Sequence, residues 1–169
     1  RFVGDIFGAP LAAEALLAFF LESVFLGVLL FGRKKVGKKF YLASAWLVWF
    51  GSCLSALWII IANSWMQTPA GAELSADGTQ AILTDFLAAA FNATTIPRYL
   101  HTVDALLIMG AFMALAIGAW YLRKGKHTDF AMKTVRVASG IALVTTCLMV
   151  VFAHQSAVVV ADEQPTKFA

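Results

Sequence analysis

The sequence predicts an all-α polytopic membrane protein, a helical bundle with four transmembrane helices. Of its 169 residues, 60% are hydrophobic and only 14% are charged, which is typical of helices that lie in lipid. Four apolar runs are each long enough to cross a hydrocarbon core that takes about 20 helical residues. Lys and Arg gather beside two short connections, five of the 13 in 33–39 and four in 123–133.

These basic connections set the predicted orientation. Excess Lys and Arg is typical of cytoplasmic loops, so loops 33–40 and 123–129 are predicted to be cytoplasmic and segments 65–96 and 155–169 extracytoplasmic. The net charge of +3 would also suit a nucleic-acid binder. Because the cations flank apolar runs, the sequence predicts membrane lipid, and no nucleic acid, as a partner.

The first span is predicted over 9–32, with Pro10 in its first turn, where the missing N–H has no cost. This span contains Glu14 and Glu22. Eight positions separate them, which is about 80° around a helix, so both carboxylates point to the same side. Acidic residues inside a span usually indicate an ion path, a proton relay or a cofactor site. The alternative is a place near the interface or a structural hydrogen bond between helices.

The second span is predicted over 41–64, which contains no charged residue. Small residues allow a neighbouring helix to approach it closely; they are Gly51, Ser52, Ser55 and Ala56. The hydroxyl of Ser55 can relay a proton, or it can bond back to the carbonyl of residue 51. After this span, helical spacing from Ala81 to Phe91 predicts a short surface helix.

The third span is predicted over 97–122 and the fourth over 130–154. His101 lies about one turn inside the third span, three residues from both Arg98 and Asp104. A neutral imidazole is a good axial ligand for haem iron, and Arg98 could pair with a propionate. The alternative is an interfacial histidine that hydrogen-bonds to a neighbouring helix.

Several stretches resemble subunit I of the cytochrome bd family of quinol oxidases: GDIFGAPLAAEALLAFFLES, GSCLSALWIIIANSWMQTPAGAE and the HTV after Tyr99 and Leu100. The resemblance covers nearly the whole chain, from the family's third membrane helix to the start of its quinol-binding loop, here 155–169. It implies a fragment of a longer subunit that is inactive alone. The stretch YLHTVDALLIMGAF is similar to the cyanide-insensitive branch.

The resemblance also implies roles for individual residues. His101 matches the histidine that binds the iron of low-spin haem b. Glu14 matches an acidic residue at or beside the high-spin haems, while Glu22 and Ser55 match residues on a proton path from the cytoplasm. Two further matches are Asn63, near the haem propionates, and Lys167, in the quinol loop.

Cofactors and partners follow from the same resemblance. The expected cofactors are low-spin haem b, high-spin haem b and haem d, or a haem b in place of haem d. The implied enzyme is a respiratory-chain oxidoreductase of the bacterial inner membrane that oxidises quinol outside and reduces oxygen to water. Its proton uptake and release on opposite sides generate a proton motive force. Its expected protein partners are oxidase subunit II and a small accessory subunit.

A proton-coupled membrane transporter is the alternative from another functional class, because carriers also hold acids and histidines within the membrane. A transporter would show no haem absorbance. A purely structural role would leave Glu14 and Glu22 replaceable by glutamine with only a modest change in stability.

Overall fold

The computed structural model describes residues 2–167, which form two compact units that divide between Ile96 and Pro97. In chain order the elements are α1 (Gly4–Ala13), a π-helical segment (Glu14–Phe19), α2 (Phe20–Phe31), α3 (Lys38–Gln67), β1 (Ala72–Leu74), β2 (Ala81–Leu83), α4 (Phe86–Ala90), α5 (Thr95–Arg123), α6 (Thr128–Glu163) and a 3₁₀ turn (Pro165–Lys167).

In the part of the chain that the structure describes, four helices are long and apolar enough to cross a membrane; they are Gly4–Phe31, Lys38–Gln67, Thr95–Arg123 and Thr128–Glu163. The first of them consists of α1, the π-helical segment and α2, and we call it the first span. The predicted all-α membrane fold with four spans is therefore confirmed. Within residues 2–167, a two-stranded hairpin is the only sheet that accompanies the helices.

Two predicted boundaries need correction. The first span begins at Gly4, so Pro10 lies well inside a helix and not in its first turn. The loop predicted from residue 155 is helical through Glu163, because no glycine or proline interrupts the sequence before Pro165. Residues 168 and 169 of that predicted loop lie outside the described residues.

The first span packs along α3 in the first unit, and a glycine lies where the backbones come close. A Cβ atom added at Gly51 would lie 3.2 Å from the backbone nitrogen of Glu22 and 3.3 Å from the carbonyl oxygen of Ala18. Gly51 and Ala18 are both buried. Small side chains thus bring the two helices to backbone contact in the middle of the pair.

The segment after α3 folds as a hairpin and a short helix. Strand β1 pairs antiparallel with β2, and β2 is tied to the chain start by the Ala81 N–H, which donates to the carbonyl of Phe2 over 2.9 Å. The helix predicted from Ala81 to Phe91 is therefore wrong for its first residues. Helix α4 begins only after Asp85, whose carboxylate accepts the N–H groups of Leu87 and Ala88.

The turn of the hairpin is built around Asp77. Its carboxylate accepts hydrogen bonds from the hydroxyl of Ser75 and from the hydroxyl and amide of Thr79. These bonds favour the ionised form and lower the pKa of Asp77 from 3.8 to about 2. The stabilisation is complete above the ordinary pKa and is lost as the pH falls through about 2.

We expect Gly71→Ala to destabilise this hairpin more than Gly78→Ala does. Both glycines have a left-handed backbone, with φ of +63° and +68°, so both variants carry a similar conformational cost of about 1–2 kcal/mol. At Gly71 the new Cβ would also overlap the carbonyl oxygen of Asp85, whereas nothing lies within 4 Å at Gly78.

Limited proteolysis of segment 65–96 in the full-length protein measures this difference. Faster cleavage of the Gly71 variant is the expected result, with Gly78→Ala as the matched control. Equal cleavage rates would show that Gly71 is not packed against Asp85.

In the second unit, α5 and α6 follow each other through the short basic loop. Gly118 on α5 lies against α6, since a Cβ there would be 2.7 Å from a methyl carbon of Val135 and 3.4 Å from the carbonyl of Ala131. The two helices thus also meet at small residues.

Candidate functional site

Two glutamates of the first span each accept a hydrogen bond from a serine of α3. The hydroxyl of Ser55 donates to Oε1 of Glu14 over 2.8 Å. The hydroxyl of Ser52 donates to Oε1 of Glu22 over 2.9 Å. All four residues are half-buried. We call these residues the glutamate–serine track.

The structure brings together two residues that the sequence singled out, Glu14 and Ser55. Ser55 donates to Glu14, which is a contact between helices and not the bond back to residue 51 that was the alternative. The two serines lie three residues apart, so they occupy adjacent turns on one side of α3. The track therefore runs along the interface between the first span and α3.

The sequence does not predict the contact between Ser52 and Glu22, and Ser52 stands out there only as a small packing residue. The signal was present in the spacing, because residues 52 and 55 share a helix face as residues 14 and 22 do. Spacing alone does not show which serine meets which glutamate. That pairing depends on how far the first span is shifted along α3.

Glu14 is also the first residue of the π-helical segment Glu14–Phe19. In a π helix the backbone bonds reach one residue further, and single π turns occur frequently at functional sites. Pro10, one turn earlier, has no N–H to donate and disturbs the regular ladder. The irregular backbone therefore begins at the residue whose carboxylate meets Ser55.

His101 lies half-buried near the start of α5. Its Nδ1 atom is buried and has no hydrogen-bond partner among residues 2–167, and the same holds for Oδ2 of the buried Asp104. Asp104 therefore does not fix the imidazole through Nδ1. A half-buried imidazole whose Nδ1 has no partner in residues 2–167 fits a haem, because haem iron takes a ligand from the protein.

The remaining predicted site residues lie near helix ends. Asn63 is exposed close to the end of α3, and its Oδ1 accepts a hydrogen bond from Nε2 of Gln67 over 3.2 Å. Arg98 is half-buried in the first turns of α5. Lys167 is exposed in the 3₁₀ turn that follows α6. Polar side chains of these kinds can form hydrogen bonds to carboxylates or to hydroxyl groups.

Comparison with known proteins gives consistent matches over the whole chain. The family model for cytochrome bd terminal oxidase subunit I matches residues 1–169. Cytochrome bd-II ubiquinol oxidase subunit 1 of Escherichia coli (strain K12) is 44% identical, and cytochrome bd ubiquinol oxidase subunit 1 of Bacillus subtilis (strain 168) is 38% identical. Each alignment covers 100% of this chain and 33% or 36% of the relative.

A solved structure agrees with these sequence matches. The bd oxidase of Geobacillus thermodenitrificans superposes with a TM-score of 0.86 at 29% identity, over 100% of this chain and 39% of that one. The chain thus spans about a third of the length of the curated relatives it matches. Family model, relatives and fold agree from one end of the chain to the other, and the chain belongs to the cytochrome bd terminal oxidase subunit I family.

Proposed function

We propose that this chain is the part of a bd-type oxidase subunit I that binds low-spin haem b and carries protons towards the site of oxygen reduction. The whole enzyme would oxidise quinol, reduce oxygen to water and build a proton motive force. The observation that carries this proposal is the 2.8 Å hydrogen bond between Ser55 and Glu14. It places a group that can carry a proton beside one that can relay it, inside a membrane-spanning helix pair.

The glutamate–serine track has the chemistry that proton transfer needs. A carboxyl group can take up a proton and release it, and a hydroxyl can donate one hydrogen bond while accepting another. The backbone groups of a regular helix are already bonded to each other and offer no such path. Glu22 and Glu14 therefore act as proton carriers in this proposal. Ser55, whose hydroxyl donates to Glu14, would relay a proton to that carboxylate.

His101 is the residue that would bind the iron of low-spin haem b. When bound, a haem supplies one-electron transfer that an apolar helix bundle lacks. Arg98 lies one turn before His101, and its planar guanidinium suits a propionate carboxylate. Asn63 is the second proposed propionate contact. Glu14 is proposed to lie beside the high-spin haem b and haem d, or a haem b in place of haem d.

The same proposal covers substrate, partners and location. Lys167, a cation after the fourth span, is proposed to contact the quinol. Oxidase subunit II and a small accessory subunit are the proposed partners. In the bacterial inner membrane, loops 33–40 and 123–129 would face the cytoplasm, and 65–96 and 155–169 would lie outside.

The test uses inner membranes that contain the full-length protein and subunit II, from a strain without other terminal oxidases. We expect haem b bands in the reduced-minus-oxidised spectrum and oxygen uptake that depends on added quinol. Membranes that lack both signals would contradict the oxidase and favour a proton-coupled transporter, the second candidate, which the in-membrane carboxylates also allow.

A further inference from the structure

We propose that Ser52 is a positioning residue that orients the carboxyl group of Glu22, and that Gly51 sets the helix spacing which makes this possible. The proposal rests on the proposed function, in which Glu22 carries protons. It assigns a role to two adjacent residues of α3 that neither carry a proton nor touch a haem.

The hydroxyl of Ser52 does not bond to its own helix, unlike several other hydroxyls of the spans. A serine or threonine in a helix commonly bonds back to a carbonyl one turn earlier. Four described residues do so: Ser44 to Phe40, Thr102 to Arg98, Thr134 to Phe130 and Thr145 to Ile141. Ser52 instead crosses to another helix and donates to Glu22, 30 positions away in sequence. The hydroxyl of Ser52 therefore donates to the carboxylate of Glu22 and not to a backbone carbonyl of α3.

The bond also determines which oxygen of Glu22 can hold a proton. Ser52 donates to Oε1, so a proton that Glu22 takes up is carried on Oε2. A free glutamate side chain samples several rotamers, and fixing one of them limits where the proton can leave. Ser52 is unchanged by the transfer, because Oε2 both gains and loses the proton.

Gly51 explains how the serine comes within reach. Gly51 directly precedes Ser52, and a Cβ at Gly51 would lie 3.2 Å from the nitrogen of Glu22 and 3.3 Å from its Cβ. Real Cβ atoms rarely come so close, so a larger residue would separate the helices by a few tenths of an ångström. A hydrogen bond of 2.9 Å has little tolerance for such a separation.

The experiment measures the full-length oxidase with its partner subunit in three serine variants. Ser52→Ala removes the hydroxyl, whereas Ser52→Thr retains it. Ser44→Ala is the matched control, because Ser44 lies on the same helix and its hydroxyl donates to the backbone carbonyl of Phe40, within that helix. Infrared difference spectra report the carbonyl stretch of protonated Glu22, assigned by its loss in Glu22→Gln. Oxygen uptake and haem spectra are recorded on the same samples.

For Ser52→Ala we expect the Glu22 carbonyl band to move to higher wavenumber and oxygen uptake to fall by about tenfold, the effect of losing one ordinary hydrogen bond from a rate-determining step. In Ser52→Thr the Glu22 carbonyl band and the rate of oxygen uptake return to their wild-type values. Ser44→Ala changes neither the band nor the rate. Haem bands stay at wild-type intensity in all three variants. Gly51→Ala should shift the same band in the same direction.

An unchanged band and rate in Ser52→Ala would overturn the positioning role while leaving the oxidase proposal in place. The failure of the oxidase proposal looks different, because then the wild type itself lacks haem bands and quinol-dependent oxygen uptake. A loss of activity that Ser52→Thr does not rescue, with the band unmoved, would also overturn the positioning role.

Discussion

His101→Ala is expected to remove the low-spin haem b band from the reduced-minus-oxidised spectrum of the full-length oxidase. The imidazole is the proposed haem ligand, and its buried Nδ1 has no hydrogen-bond partner in the described part of the chain. An alanine methyl cannot bind iron, so the haem loses its protein anchor on that side. Quinol-dependent oxygen uptake should fall to background, since electrons then have no carrier between quinol and the oxygen-reducing site.

The control is His127→Ala. His127 is exposed in the loop between α5 and α6, so its loss should leave every haem band intact. High-spin bands should remain in His101→Ala, because the residue proposed beside those haems is Glu14 and not His101. If His101→Ala retained the low-spin band, His101 would be an interfacial histidine and not a ligand.

The four spans could be predicted from sequence because each depends on a local property, a run of apolar residues of sufficient length. The end of α6 could not be predicted in the same way. A helix can continue past the membrane surface when its sequence permits, and residues 155–163 contain nothing that stops it. The hydropathy of a sequence indicates where a helix leaves the lipid, but it does not indicate where the helix itself ends.

The segment from Ala81 to Phe91 shows another limit. Its apolar residues fit helical spacing, but the first three residues pair with β1 and the helix starts after Asp85. That outcome depends on the carbonyl of Phe2, which accepts the Ala81 N–H from 79 positions away. A contact so distant in sequence has no local signal.

The site was predictable in part. The two carboxylates stood out because charge inside a span is rare, Ser55 and His101 were candidates from their positions in the spans, and the resemblance added Asn63 and Lys167. The bond between Ser52 and Glu22 could not be derived, since it depends on the contact of Gly51 with the backbone of the first span. The π-helical segment is likewise a shift in backbone bonding that composition does not reveal.

Glu14→Gln is expected to abolish turnover without unfolding the protein. The glutamine amide has nearly the shape of the carboxyl group. In the wild type the hydroxyl of Ser55 donates to Oε1 of Glu14 over 2.8 Å, and the carbonyl oxygen of glutamine can still accept this hydrogen bond. It cannot take up a proton, however, and a positioned acid or base contributes about a hundredfold or more to rate. Oxygen uptake should therefore fall by at least about a hundredfold, while the thermal midpoint moves by only a few degrees.

The haem spectrum of the same variant separates the two roles proposed for Glu14. Lost turnover with unchanged high-spin bands makes Glu14 a proton carrier, whereas lost turnover with altered high-spin bands makes it a haem ligand or close neighbour. Glu73→Gln on the exposed edge of β1 is the control, because it removes an equal charge outside the spans. If Glu14→Gln retained normal oxygen uptake, the bond to Ser55 would be a structural contact, and the proton path would have to avoid the π-helical segment.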